Sequence, residues 1–268
     1  MVRFLTAARS THHPKHQGPT TVIRVKDLTK RYGDFTAVDG LSFEVEAGVI
    51  MGLLGPNGAG KTTTLRSVTG IIPATSGSVS IAGHDLKKDP VAAKQEIAFI
   101  PDDPQFFEHL TVSEHLGFMA RLYNVEDADE HGSALLQRLE LEEKRDKLPY
   151  QLSRGMRQKL AIACALLHRP KVLFFDEPLT GLDPGGMRRM KATLKEEAAA
   201  GAAIVLSSHL LHLIEELASH VLVLAYGRMV SLGPIGEIGA HRPELEGQGL
   251  EDIFLALTSE SNAAEDLG

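Results

Sequence analysis

Cysteine occurs once in the 268 residues, at position 164. One thiol cannot close an intramolecular disulfide, so the fold must hold by packing, which fits a reducing compartment. Cys164 sits within an apolar helical stretch and is expected to pack there. No apolar run reaches the roughly 20 residues that a bilayer-spanning helix needs, so the chain is not expected to cross a membrane itself. Long runs of Lys or Arg are missing too. With a formal net charge of -7, that argues against a generally basic nucleic-acid surface. Internal repeats are absent, and low complexity is confined to the short Ala198 to Ala203 tract.

The first 21 residues lack an apolar core of their own. Arg3 is followed only by Phe4 and Leu5, too brief for a secretory leader, and a flexible tail is expected. Its His12, His13 and His16 suggest a metal site, but Pro14 breaks the spacing that would aim them together, and solvated side chains are the better reading.

What is present is ample apolar material, 43% of residues, enough for one extended α/β domain or two small ones. Thr21 to Val25 and Leu41 to Val45 alternate as two early strands. Later strands are expected at Val49 to Leu54, Ser78 to Ile81, Ile97 to Ile100, Val172 to Phe175, Ala203 to Leu206 and Val221 to Leu224. Helices are expected near Gly186 to Ala200 and up to Ser219. From about Asp102 to Pro149 strands vanish: Leu116, Met119, Ala120 and Tyr123, then Leu135, Leu136 and Leu139, recur at helical spacing. A helix from Gln151 to Pro170 follows, with Ser153 as candidate N-cap. The pattern is an alternating α/β chain with a helical insertion.

The strongest signal is Gly55-Pro56-Asn57-Gly58-Ala59-Gly60-Lys61-Thr62-Thr63, between an apolar strand and a helix beginning at Thr62. Glycines at 55, 58 and 60 let the backbone curl so that successive amides face one anion, and the helix start adds positive potential. Lys61 is suited to reach the β- and γ-phosphates, and the Thr62 hydroxyl to ligate Mg²⁺, a hard cation that takes oxygen ligands. An isolated Gly-rich turn is the plainer alternative; the flanking strand and helix argue against it.

The second signal is Val172 to Phe175 running into Asp176 and Glu177. In open α/β sheets ligands gather at strand carboxyl ends. Asp176 is placed to hold Mg²⁺ and Glu177 to polarise an attacking water; strand-end acids also cap helices, but a phosphate-binding loop in the same chain tips the balance. His209 ends another apolar strand, where it either contacts a γ-phosphate or serves as a cap or core histidine. Tyr32, before the Gly33-Asp34 turn, is either a half-buried anchor or a ring that stacks on a base. Asp183 precedes Pro184 and equally suits a turn.

Taken together, these residues make the chain resemble the nucleotide-binding subunit of an ATP-binding cassette (ABC) transporter over about Val22 to Gly233. The resemblance implies an α/β P-loop NTPase core with a mixed sheet, N-terminal antiparallel strands and an inserted α-helical subdomain at about 102 to 165. Residues 234 to 268 are then a C-terminal extension. It implies adenine stacking on Tyr32, the family signature at Leu152-Ser153-Arg154-Gly155-Met156, a dimer-contact loop at Leu182-Asp183 and a switch histidine at His209. Two cassettes, most simply two copies of this chain, are expected head to tail, with Ser153 and Gly155 of one completing the ATP site of the other. ATP and Mg²⁺ are the implied cofactors. Asp102 stands where the family has a glutamine, and is expected to join Thr62 and Asp176 at the metal. Arg154 and Met156 stand for glycine and glutamine in the signature. A competent hydrolase is still expected, since Lys61, Asp176, Glu177 and His209 are in place.

The expected partner is a separate membrane permease, whose coupling helix would meet Phe106, Phe107 and Leu110, unless those are core residues. Leu250 to Leu257 resembles the tail of drug- and ion-exporting subunits, or is a plain amphipathic closing helix. The implied location is peripheral, on the cytoplasmic face of the membrane. The rival is a soluble cassette ATPase acting on ribosomes or nucleic acid. Its chromosome-maintenance type needs a long coiled coil between Lys61 and Asp176, its translation type usually two cassettes, and this chain has neither.

Overall fold

A computed structural model of the chain describes residues 20–178, 182–238, 245 and 247–265, with side chains to 258. Residues 1–19, with His12, His13 and His16, lie outside the described residues, as do Leu179, Thr180 and Gly181.

Strands β1 (Thr21–Tyr32) and β2 (Phe35–Glu46) form an antiparallel hairpin closed at Gly33-Asp34. Both run further than simple alternation predicts, because the period of two breaks in mid-strand. Ile23 and Val25 point inward and then Leu28, three residues on. Between them Asp27 sits at φ 48°, its amide donating to Ser42 Oγ at 2.8 Å. This bulge takes up one extra residue and returns the apolar side to the core.

After β3 (Ile50–Leu54) and α1 (Lys61–Val68) come β4 (Ser76–Ile81), β5 (His84–Asp85), α2 (Pro90–Gln95) and β6 (Ile97–Ile100). The helical insertion comprises α3 (Val112–Tyr123), α4 (Ala128–Arg138) and α5 (Arg154–Leu166). α3 opens with a reciprocal capping box between Thr111 and Glu114. α5 begins after Ser153, whose Oγ accepts from the Met156 amide at 3.2 Å; Pro149–Gln151 before it is a separate 3₁₀ turn. The chain continues through β7 (Val172–Asp176), α6 (Pro184–Ala199), β8 (Ala203–Ser207), α7 (Leu211–Leu217), β9 (His220–Ala225), β10 (Arg228–Pro234) and α8 (Leu250–Glu265).

The strands make two sheets. One is antiparallel, ordered β2-β1-β4-β5; the other is ordered β10-β9-β3-β8-β7-β6, parallel except for β10. The parallel strands are apolar on both faces because both are covered. Ile50, Leu173, Phe175, Ile204, Leu206 and Val221 face the helical side with Leu160 and Leu167. Met51, Leu53, Phe174, Val205 and Leu222 face α1, whose Leu65 and Val68 are sandwiched against Leu28, Val38 and Ile81 of the antiparallel sheet. α1 is therefore clamped between two sheets, and the loop leading into it is held at both ends.

α8 lays Leu250, Ile253 and Leu257 into the core, and its Leu250 amide donates to Glu215 Oε1 of α7 at 2.7 Å. In the described part it is an amphipathic helix that closes the domain. Among the described residues no helix is long and apolar enough to cross a membrane.

Candidate functional site

The loop from Gly55 to Gly60 joins the buried end of β3 to α1. At Gly60 φ is 99°, and a Cβ there would lie 2.5 Å from Ala37 O of β2, so only glycine serves. The turn after β9 braces the loop: the Gly227 amide donates to Ala59 O at 3.1 Å, and the Asp39 amide to Gly227 O at 2.9 Å. The cradle is thus fixed by both sheets. Lys61 Nζ lies over it, donating to Gly55 O at 2.6 Å and Pro56 O at 3.1 Å. Burial pulls the Lys61 pKa down, while Glu177 and Asp176 oppose that shift.

β7 and β8 are neighbours, so the ends of both arrive beside this cradle. Asp176, only 7% exposed, accepts from Ser207 Oγ at 2.7 Å and from Thr62 Oγ1 at 3.3 Å. Residues 114 apart in the chain therefore converge as a hydroxyl and a carboxylate, both oxygen donors of the kind a hard divalent cation takes. The Ser207 hydroxyl also accepts from the Glu177 amide at 3.2 Å. Ser207 directly follows the apolar run Ala203 to Leu206, a position that by itself assigns it no role. The signal available was a hydroxyl ending a fully apolar strand.

Glu177 has φ 53°, a left-handed conformation that costs a non-glycine residue about 1–3 kcal/mol. The turn carries its carboxylate to His209, Nδ1 to Oε2 at 2.9 Å. Burial raises the Glu177 pKa, against the pull of His209 and Lys61, which makes it a better proton acceptor from water than an ordinary carboxylate. His209 is exposed, with 59% of its side chain accessible, so the core-histidine alternative does not hold. Its hydrogen bond orients the Glu177 carboxylate.

Other expected site residues lie on loops and helix starts. Tyr32 is 49% exposed, with Lys30 Nζ 4.8 Å from its ring centroid. It pairs with Phe35 at the tip of a hairpin whose Ala37 abuts Gly60. Ser153 caps α5 and Gly155 lies in its first turn. Asp183 caps α6, its Oδ1 accepting from the Gly186 amide at 3.2 Å. Asp102 is exposed and pairs with Arg154, Nη2 to Oδ1 at 3.0 Å. The structure therefore joins Thr62 to Asp176 and Glu177 to His209, while Asp102 is engaged elsewhere.

Beyond Asp102 the chain forms an aromatic groove of about 250 Å³ under α3, lined by Phe99, Phe106, Phe107, Phe118 and His168. Phe106 meets His115 edge-on at 5.3 Å and Phe107 meets Phe118 at 5.1 Å. Phe107 is 56% exposed and is not a core residue, whereas Phe106 is partly buried and packs against the core and Leu110 is intermediate. Cys164 also lines the groove but is 9% exposed; burial pushes its thiol up to about 12, confirming a packing role.

A glycine-lined cradle with its lysine, a hydroxyl and a carboxylate in hydrogen-bond contact, and a carboxylate–imidazole pair beside them are the arrangement of a P-loop nucleotide hydrolase. Residues 38–180 match the ABC transporter domain family. The chain is 32% identical to the ABC-type transporter ATP-binding protein EcsA of Bacillus subtilis, over 91% of this chain and all of that protein. It is 35% identical to the Nod factor export ATP-binding protein I of Cupriavidus metallidurans, over 89% of this chain and 81% of that one. A solved ATP-binding subunit of an ABC transporter superposes with a TM-score of 0.84 at 33% identity, covering 88% of this chain and 99% of that one. The chain belongs to the ABC transporter family, as an ATP-binding subunit that hydrolyses ATP.

Proposed function

We propose that this subunit powers export through a separate membrane permease, with ATP hydrolysed at the tips of β3, β7 and β8. The observation that carries the reading is the hydrogen-bonded convergence of Thr62, Asp176, Glu177 and His209 beside the Gly55–Gly60 cradle. ATP places its phosphates on the cradle amides and Lys61, and its base on Tyr32. Asn57, Ala59 and Thr63 complete that loop. Mg²⁺, when bound, lowers the charge of the triphosphate, with Thr62, Asp176 and Asp102 as its protein-side oxygens. Glu177 takes a proton from the attacking water and His209 holds it in place.

Two copies meet head to tail, and the amide-rich start of α5 at Ser153 and Gly155 faces the partner's triphosphate. The subunit sits peripherally on the cytoplasmic face of the membrane and receives a coupling helix of the permease at Phe106 and Phe107, in a groove where Phe107 and Phe118 are exposed. Export over import draws on the relative whose name is Nod factor export. Nothing in the fold favours the ribosome or nucleic-acid alternative.

The test is affinity capture of the tagged chain from solubilised membranes. A co-purifying multi-span protein that is lost on Phe107→Glu, together with ATP-driven efflux in reconstituted vesicles, is the expected result. Capture of ribosomes without a membrane protein contradicts the proposal.

A further inference from the structure

The first turn of α5 carries two arginines, Arg154 and Arg157, and no acidic residue. That is the unfavourable sign for a helix start, where backbone amides already present positive potential. Arg157 turns back to Leu152 O at 3.0 Å. Arg154 instead reaches the loop after β6, 52 residues away, and meets Asp102. The loop thus presents a carboxylate and the helix start a guanidinium, in contact at 3.0 Å.

With side-chain exposures of 51% and 48%, the pair adds little to stability, since water and salt screen it. Its effect is positional. It ties the loop that runs on to Phe106 and Phe107 to the helix start that carries Ser153, and it occupies a carboxylate oxygen otherwise open to a cation. Asp176 meanwhile accepts from both Thr62 and Ser207, so its place is already set.

We propose that Arg154 is a positioning residue for Asp102: the ion pair parks the carboxylate against α5, and Asp102 reaches a cation beside Thr62 and Asp176 only by giving up Arg154. The inference rests on Asp102 being a metal-side carboxylate, as set out under the proposed function. Metal capture at this loop and the state of the α5 start are thereby coupled within one chain. Any anion that draws Arg154 away, such as a partner's triphosphate at the α5 start, releases Asp102.

A double-mutant cycle on the full chain tests this, with Mn²⁺ as the probe, free Mn²⁺ read by electron paramagnetic resonance at saturating non-hydrolysable ATP analogue, and thermal melts in parallel. Arg154→Gln is expected to tighten Mn²⁺ about two- to fivefold, the range for release of one exposed ion pair. The same change in an Asp102→Asn background is expected to leave Mn²⁺ affinity unaltered. Equal tightening in both backgrounds would reduce Arg154 to a general charge effect and overturn the proposal. So would a shift in melting temperature with no change in Mn²⁺ affinity, which marks a structural contact only. Failure of the underlying reading shows separately: Mn²⁺ binding lost on Asp176→Asn but indifferent to Asp102→Asn in the Arg154→Gln chain removes Asp102 from the metal site.

Discussion

The two sides of the site are built differently. On one side, Lys61, Thr62, Asp176, Glu177 and Ser207 stand at the ends of buried parallel strands or at the first turns of a helix clamped between two sheets. On the other, Tyr32, Asp102, Ser153, Asp183 and His209 lie on hairpin tips, helix starts and exposed loops. The first side is positioned by packing that exists whatever is bound, and so is preorganised. The second is held by single hydrogen bonds or exposed ion pairs, each worth about 1 kcal/mol or less, and is the side able to move. The phosphate cradle, Thr62, Asp176 and Glu177 lie on the rigid side, and His209, which is hydrogen-bonded to Glu177, lies with Tyr32, Asp102, Ser153 and Asp183 on the mobile one.

Lys61→Ala should break that division most severely. Removing this cation from over the cradle is expected to weaken ATP binding by about 10²-fold or more, measured by calorimetry, with the melting temperature little changed. An unaltered affinity would show that the amides alone hold the phosphates.

Ser153→Ala probes the other side and should cost about 1 kcal/mol of stability through loss of the α5 cap. It is expected to leave ATP affinity of the isolated chain intact while weakening ATP-driven dimerisation, seen by light scattering. A loss of affinity in the monomer would place Ser153 on its own chain's nucleotide.

A subtler effect follows from pH. The Glu177 carboxyl has a folded pKa above its ordinary 4.5, so it contributes stability that is full below 4.5 and is lost as pH rises through the raised value. Glu177→Gln lacks that loss. Its melting temperature relative to the natural chain is expected to climb across that window and then level off; a difference independent of pH would show that the carboxylate is not desolvated. The smallest expected effect is at Cys164, whose thiol, held near 12, should ignore thiol reagents at pH 8 in the native chain and react fully in denaturant. Rapid native labelling would mean that the helical insertion opens.

The rigid side was also the legible one, for the same physical reason. Strands buried on both faces must be continuously apolar, so β3, β7, β8 and β9 stand out as runs, and whatever polar residue ends such a run is conspicuous. Asp176 and Glu177 are legible that way, and the cradle from its glycine spacing between an apolar strand and a helix; His209, although on the mobile side, is legible too because it closely follows the apolar run of β8. Where exposure alternates irregularly the signal fades. The edge strand β10 has no buried residue and so leaves no periodic apolar signal, although its turn at Gly227 braces the cradle. β1 and β2 were read short because the Asp27 bulge disrupts the period. The role of Ser207 carries no signal because it depends on Asp176 being next to it on the neighbouring strand, and Arg154 stands out in the sequence while its contact does not, because its partner lies across the fold; neither adjacency is written in local spacing.

The central claim is that Glu177, poised at the end of β7 by Ser207 and His209, activates water against an ATP bound on the Gly55–Gly60 loop. ATP binding and turnover measured on the same preparation of Glu177→Gln test it directly. Affinity within a few-fold of the natural chain with turnover reduced about 10²-fold or more is the predicted result. Turnover retained at the natural rate would contradict it.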